Sequence, residues 1–235
     1  MKKYRKFVPE ISTQLKADTI ILPKVINNAS GIRFYGKRIK SLIFTTDIAV
    51  IMNNNADAVF AVYPFTPHPS IFLAITSVSQ APVFAGVGGG TTGGKRCAQM
   101  GLFAESHGCI ALVLNSPTTN ETLKELRETV DGPIVFTIVS EHMDIKTRLE
   151  LGVNILNVSG GRKTAYIVKK IRKEFPDIPI IATGGTSDES IQETIEAGAN
   201  AITYTPPTSG YIFRSKMEQH RQKAETEYNA SHKLV

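Results

Sequence analysis

Pro133-Ile134-Val135-Phe136-Thr137-Ile138-Val139 decides how this chain folds. A run so short, so β-branched and almost free of polar alternation reads as a strand covered on both faces, as in a parallel sheet. Its proline stands at the start, where a missing N–H does least harm. Just upstream, residues 119–130 place Leu123, Leu126 and Val130 on one stripe with charges elsewhere, the pattern of an amphipathic helix. Working outward, the same unit recurs. Apolar runs occupy residues 41–47, 57–64, 82–88, 110–116, 133–140, 154–161, 179–185 and 201–205, with helical stretches between them. Over residues 162–175 the apolar stripe is Ile167, Val168, Ile171 and Phe175, and Ser187 and Gly198 suit the N-cap and C′ stop of a later helix. Eight strand–helix units without a linker fit one α/β domain, a (β/α)8 TIM barrel over residues 41–235. A doubly wound sheet is the alternative, since spacing does not give strand order, but eight complete units favour closure. Residues 1–40 form a basic N-terminal extension expected to pack on or under the barrel.

Composition narrows the setting. The chain has 235 residues, 42% hydrophobic and 20% charged, enough to bury a core unaided. No run of about 18 apolar residues is present, so no membrane-spanning helix is expected. The positive start has no apolar run behind it, unlike a signal peptide. Two cysteines, Cys97 and Cys109, cannot make a disulfide framework and read as packed thiols in a reducing, cytoplasmic setting. The net charge of +6 is uneven: residues 1–40 carry ten Lys and Arg against Glu10 and Asp18. Such a segment can meet an anionic surface. No aromatics interleave as in base-stacking proteins, so a solvated extension is the favoured reading and nucleic acid is not an expected partner.

In a barrel of this kind the chemistry sits where strands run into the loops before their helices. The strongest pattern is Ser159-Gly160-Gly161 paired with Thr183-Gly184-Gly185-Thr186, each at a strand end and opening a helix. Bare N–H groups at a helix start make an anion cup. Arg162 and Lys163 then fall in a first helical turn, where the dipole disfavours cations unless an anion lies between. The glycine run at residues 86–95 matches two nucleotide-binding patterns at once and completes neither, because Arg96 follows Lys95 and the next strand ends in Asn115-Ser116. It reads as a flexible loop whose backbone and Lys95 face the pocket, with a simple mobile loop as the equal alternative. For proton transfer the candidates are Asp47, Glu141 and His142, with a capping role as the alternative for Asp47. Asn115, Asn157 and Thr183 would orient polar groups. No metal-ligand spacing is evident, and no metal is expected.

Pro179-Ile-Ile-Ala-Thr-Gly-Gly-Thr-Ser187 followed by Ile195-Glu-Ala-Gly-Ala-Asn-Ala-Ile202 resembles the seventh and eighth units of the phosphate-binding TIM barrels, the ribulose-phosphate-binding group. The resemblance spans residues 41–207 and implies that Gly160, Gly161, Gly184, Gly185 and Thr186 hold a phosphate. The chain also looks like bacterial barrel proteins loosely named hydrolases. It departs from the group where Pro206-Pro207 removes two N–H donors, where Asp188 and Glu189 compete for the same helix start, and where Thr183 replaces an acidic residue. No lysine stands at a strand end, against Schiff-base chemistry. The expected function is an enzyme acting on a small phosphorylated metabolite by isomerase, epimerase or hydrolase acid–base chemistry, without a cofactor. Alternatives are an FMN-binding barrel oxidoreductase and a non-catalytic barrel that binds a phosphorylated ligand or nucleic acid. The apolar residues 63–72 suit packing against a second copy in a homo-oligomer.

Overall fold

The computed structural model describes residue 7 and residues 9–11, 13–16 and 18–232. Lys2, Lys3, Arg5 and Lys6 of the basic extension lie outside the described residues.

A two-stranded antiparallel hairpin comes first, β1 (Ile32–Phe34) and β2 (Lys37–Ile39), turning through Tyr35 and Gly36 at positive φ. Eight parallel strands follow: β3 (Ser41–Phe44), β4 (Ala58–Ala61), β5 (Val83–Gly88), β6 (Ala111–Leu114), β7 (Ile134–Ile138), β8 (Ile155–Val158), β9 (Ile180–Thr183) and β10 (Ala201–Tyr204). They pair in chain order, and β10 closes onto β3. The helices that alternate with them are α1 (Ile48–Met52), α2 (Pro69–Val78), α3 (Gly94–Ser106), α4 (Asn120–Thr129), α5 (Ile145–Glu150), α6 (Thr164–Glu174), α7 (Asp188–Glu196) and α8 (Ser209–His232). The sheet is closed, so the (β/α)8 barrel holds and the doubly wound alternative falls. No helix among the described residues is long and apolar enough to cross a membrane.

Because side chains alternate along a strand, each barrel strand feeds two cores. Val59, Ala85, Leu112, Ile134, Phe136, Leu156, Ile180 and Ala182 pack outward against the helices. Leu42, Phe60, Phe84, Val113, Val135, Ile155, Ile181 and Ala201 fill the interior. The hairpin closes the base of the barrel: Phe34 and Ile39 join the interior cluster, and Phe34 meets Phe84 edge-on at 5.1 Å.

Residues 20–29 take the place between α7 and α1. Ile20 bridges to Asn54 just beyond α1, Leu22 and Ile26 are buried with the outer core, and Asn28 Nδ2 donates to Gln192 Oε1 of α7 at 2.8 Å. With that slot filled, α8 projects and carries no buried residue. Ser187 caps α7 through a reciprocal pair with Ser190, and Gly198 follows the helix at φ 113°, as the sequence implies. The helix expected over residues 162–175 starts later. Gly161, at φ 59°, opens a 3₁₀ turn over Gly161–Lys163, and Thr164 Oγ1 both accepts from Gly160 N–H and donates to Gly161 O. The α-helix therefore begins at Thr164, and Arg162 and Lys163 precede its dipole instead of opposing it.

Candidate functional site

Above the last apolar layer the interior turns polar. Four consecutive strands end their inward rows in Thr137 on β7, Asn157 on β8, Thr183 on β9 and Thr203 on β10. These residues floor a cavity of about 480 Å³ at the barrel mouth, within the range of small-ligand sites. Its other side is aromatic and apolar, with Phe44 and Phe60 from β3 and β4 and Val62, Tyr63 and Pro64 from the loop after β4. Asn115, Ser159 and Thr205 reach in from the rim.

The floor is hydrogen-bonded within itself, with one exception. Asn157 Nδ2 donates to Thr137 Oγ1 at 3.2 Å, and Thr203 Oγ1 donates to Thr183 Oγ1 at 3.4 Å. Asn157 is only 5% exposed, and its Oδ1 is buried without a partner. A buried acceptor left unmade costs about 1–3 kcal/mol, and native interiors keep few of them. Tyr63 is the one titratable residue lining this cavity among the described residues. Burial pushes its phenol above 10.0, only partly offset by the His68 N–H that donates to its oxygen at 2.8 Å, so the group keeps its proton at neutral pH.

The structure gathers four of the expected site residues here: Asn115, Asn157, Ser159 and Thr183. The expected acid–base residues lie elsewhere. Asp47 caps α1, accepting from Ala49 and Val50 N–H, and its second oxygen accepts from Ser209 N–H at 2.9 Å. Partial burial pushes its carboxyl up, but the bonds from Ser209, Val50 and Ala49 outweigh this and hold it below 3.8. That arrangement is the capping alternative, not a poised base. Glu141 pairs with Lys163 at 3.3 Å, joining the loops after β7 and β8; a bond from its own N–H and then this pairing keep it ionised. His142 is 81% exposed on its side chain, 3.7 Å from Glu141. Lys95 corrects an expectation: it sits in the first turn of α3 with its side chain in solvent, and of that run Gly86, Gly88–Gly90, Thr91 and Thr92 line a pocket.

The glycine loops have packing reasons of their own. A Cβ at Gly160 would collide with Ile167, one at Gly184 would come within 2.7 Å of Ile202 and 2.9 Å of Ile191, and one at Gly185 would meet Ser190. Gly161 faces open space. The N–H of Gly160 is taken by Thr164, and that of Ser209 by Asp47, so neither is free for an anion. The N–H groups of Gly184, Gly185 and Thr186 find no acceptor among the described residues, and Arg162 has no carboxylate partner there. Cys97 and Cys109 are buried, which raises both thiols to about 12 and leaves them unreactive. Among the described residues no three His, Cys, Asp or Glu side chains converge on a metal-sized site.

Thr137 and Phe60 carry the site without having been singled out from sequence. The signal was available: within strands that otherwise read as apolar, Thr137, Asn157, Thr183 and Thr203 each sit two residues after an inward apolar residue.

No family model matches the chain, and no curated protein matches it in sequence. Solved structures do match its fold. A 2,3-dimethylmalate lyase of the PEP mutase/isocitrate lyase superfamily is 11% identical at TM-score 0.59, covering 86% of this chain and 85% of that one. A phosphoenolpyruvate phosphomutase from Streptomyces platensis subsp. rosaceus is 10% identical at TM-score 0.58, covering 88% and 86%. A dihydrodipicolinate synthase from Bacillus anthracis is 14% identical at TM-score 0.55, covering 80% and 76%. These neighbours confirm the TIM barrel; the superfamily named for the lyase is not the ribulose-phosphate group that the seventh and eighth units resemble, and at such identities the likeness speaks for the fold alone.

Proposed function

We propose that the protein is an enzyme that turns over a small phosphorylated or carboxylated metabolite seated in the mouth cavity. The observation that carries this reading is Asn157 Oδ1, a buried acceptor without a partner on the cavity floor. A hydroxyl or N–H of a bound molecule would satisfy it. The anionic end would rest over the loops after β8 and β9, on the unpaired N–H groups of Gly184, Gly185 and Thr186 and the guanidinium of Arg162. Asp188 and Glu189 in the first turn of α7 keep this anion on the loop amides, not on the helix axis.

The chemistry follows from which groups keep or lose protons. Tyr63, a phenol that keeps its proton at neutral pH, donates to a carbonyl or leaving oxygen in the cavity. No carboxylate lines the cavity among the described residues, and Glu141 on the loop after β7 stands outside it, so the proton acceptor in isomerase or hydrolase chemistry is a water or an anionic oxygen of the substrate itself. The three enzymes named above, acting on small acids or phosphoenolpyruvate by their names, are consistent with this substrate class.

The test is thermal shift against inorganic phosphate, ribose 5-phosphate, oxalate, pyruvate and FMN. A ligand at about 100 times its Kd adds roughly 2.7 kcal/mol, a rise of about 5–10 °C for a chain of this size. Arg162→Ala should shrink the shift for the anionic compound that produces it. If no compound shifts the wild type, the reading fails; a shift with FMN alone, and a yellow protein, would replace it with a flavin enzyme.

A further inference from the structure

We propose that a second lobe of the mouth cavity holds a flat, uncharged heterocycle, so that the substrate is a two-part molecule of the nucleoside monophosphate kind. This deepens the reading above and rests on it for the anionic end. The lobe, about 160 Å³, neighbours the mouth cavity and shares Val62, Tyr63, Pro64 and Asn115 with it. Alone it is too small for a whole metabolite and suits one ring system.

Rings and bare backbone make up most of its lining: Tyr63, Pro64, Phe65 and Pro67 from the loop after β4, and glycine backbone at Gly86 and Gly88–Gly90. Most of those glycines are required by packing: a Cβ would reach 3.0 Å from Val62 at Gly86, 2.5 Å from Cys97 at Gly88 and 3.1 Å from Asn115 at Gly89. Gly90 is different. A Cβ there meets only Pro117 at 3.9 Å, and its φ lies outside the left-handed region, so neither packing nor backbone asks for glycine. Gly90 lines the lobe, so Gly90→Leu is the substitution that tests whether the lobe is occupied.

The lobe also has an unmet hydrogen bond. Thr92 is 2% exposed, lines the lobe, and its Oγ1 has no partner. The hairpin it belongs to does not need that hydroxyl, because Gly89 and Thr92 exchange backbone bonds at 3.1 and 3.2 Å. Among the described residues no charged side chain lines the lobe, and Lys95 stays outside it on α3. A phosphate therefore has no counter-charge here, whereas a ring with hydrogen-bonding edges can slide between the prolines and the peptide planes and reach Thr92.

The test measures binding of four nucleoside 5′-monophosphates, the matching nucleosides and ribose 5-phosphate to wild type, Gly90→Leu and Thr92→Val. At least one nucleotide should bind the wild type roughly tenfold or more tighter than ribose 5-phosphate, the scale of one stacked base. Gly90→Leu should erase that preference while ribose 5-phosphate binding stays within about twofold, and Thr92→Val should reduce it. Unchanged melting of both variants shows that the fold is intact. Equal binding of nucleotides and ribose 5-phosphate, or a preference that survives Gly90→Leu, overturns the lobe and leaves the anion site standing. Nucleoside binding that Gly90→Leu abolishes, with no phosphate effect, keeps the lobe and sinks the anion site. Binding by none of the probes overturns both.

Discussion

At the base of the barrel Phe34 lies edge-on to Phe84, and Phe84 stacks at 6.1 Å on Phe60, which reaches up to the mouth; all three belong to the apolar interior cluster. At the mouth the inward rows of β7 to β10 end in Thr137, Asn157, Thr183 and Thr203 around open space. The base has spent its sequence on burial: its aromatics are packed from both sides and closed off by the β1–β2 hairpin. The mouth gives up the dispersion contacts that a filled core would supply and leaves an acceptor unpaired. The contrast separates the stability of this barrel from its chemistry, and each end should answer mutation in its own way.

The largest effect belongs to the base. Phe84→Ala, at a side chain with 0% exposure, should cost about 3–5 kcal/mol and lower the melting temperature by roughly 6–20 °C. Urea or thermal denaturation checks this; a drop under a few degrees would mean that the hairpin plug, not the aromatic column, carries the base. At the rim, Asp47→Ala removes a cap and the tie to Ser209, a loss of about 1 kcal/mol. The pH sign is fixed by the lowered carboxyl: its contribution is full above 3.8 and fades as pH falls through the lower folded value. Melting curves of wild type and variant should therefore differ at pH 7 and converge in strong acid. On the mouth floor, Thr203→Val breaks only two long bonds, to Ala182 O and Thr183 Oγ1, both at 3.4 Å, and should change stability by less than about 1 kcal/mol. The smallest effect is expected at Glu141→Gln, whose partner Lys163 is solvent-screened, with no measurable change in melting.

How much of this the sequence shows depends on which periodicity carries it. The barrel was legible because each strand is buried on both faces, so runs such as residues 133–140 are apolar almost throughout and repeat eight times. Asn115, Asn157, Ser159 and Thr183 were legible as polar residues at strand ends. Asp47, Glu141, His142 and Lys95 share that position along the chain, yet stand apart from the cavity, because spacing gives the height of a residue on the barrel but not the direction of its side chain. Asp47 turns to cap α1, and Lys95 turns outward one step into α3. The site lies on the inward row, a period-two signal that a count of strand ends passes over at Thr137. The displacement of α8 by residues 20–29 was hidden for a different reason: it depends on which of two segments wins one slot on the shell.

The most direct test of the account is the melting temperature of Asn157→Leu beside the wild type, each with and without the anionic compound that shifts the wild type most. If the mouth is a binding site kept at a cost in stability, the variant without ligand should melt at or above the wild type, because an unpaired buried acceptor has been replaced by apolar bulk, and the ligand shift of about 5–10 °C should vanish. A variant that melts well below the wild type yet keeps the full ligand shift would contradict it, making Asn157 a strut of the fold and placing the ligand elsewhere.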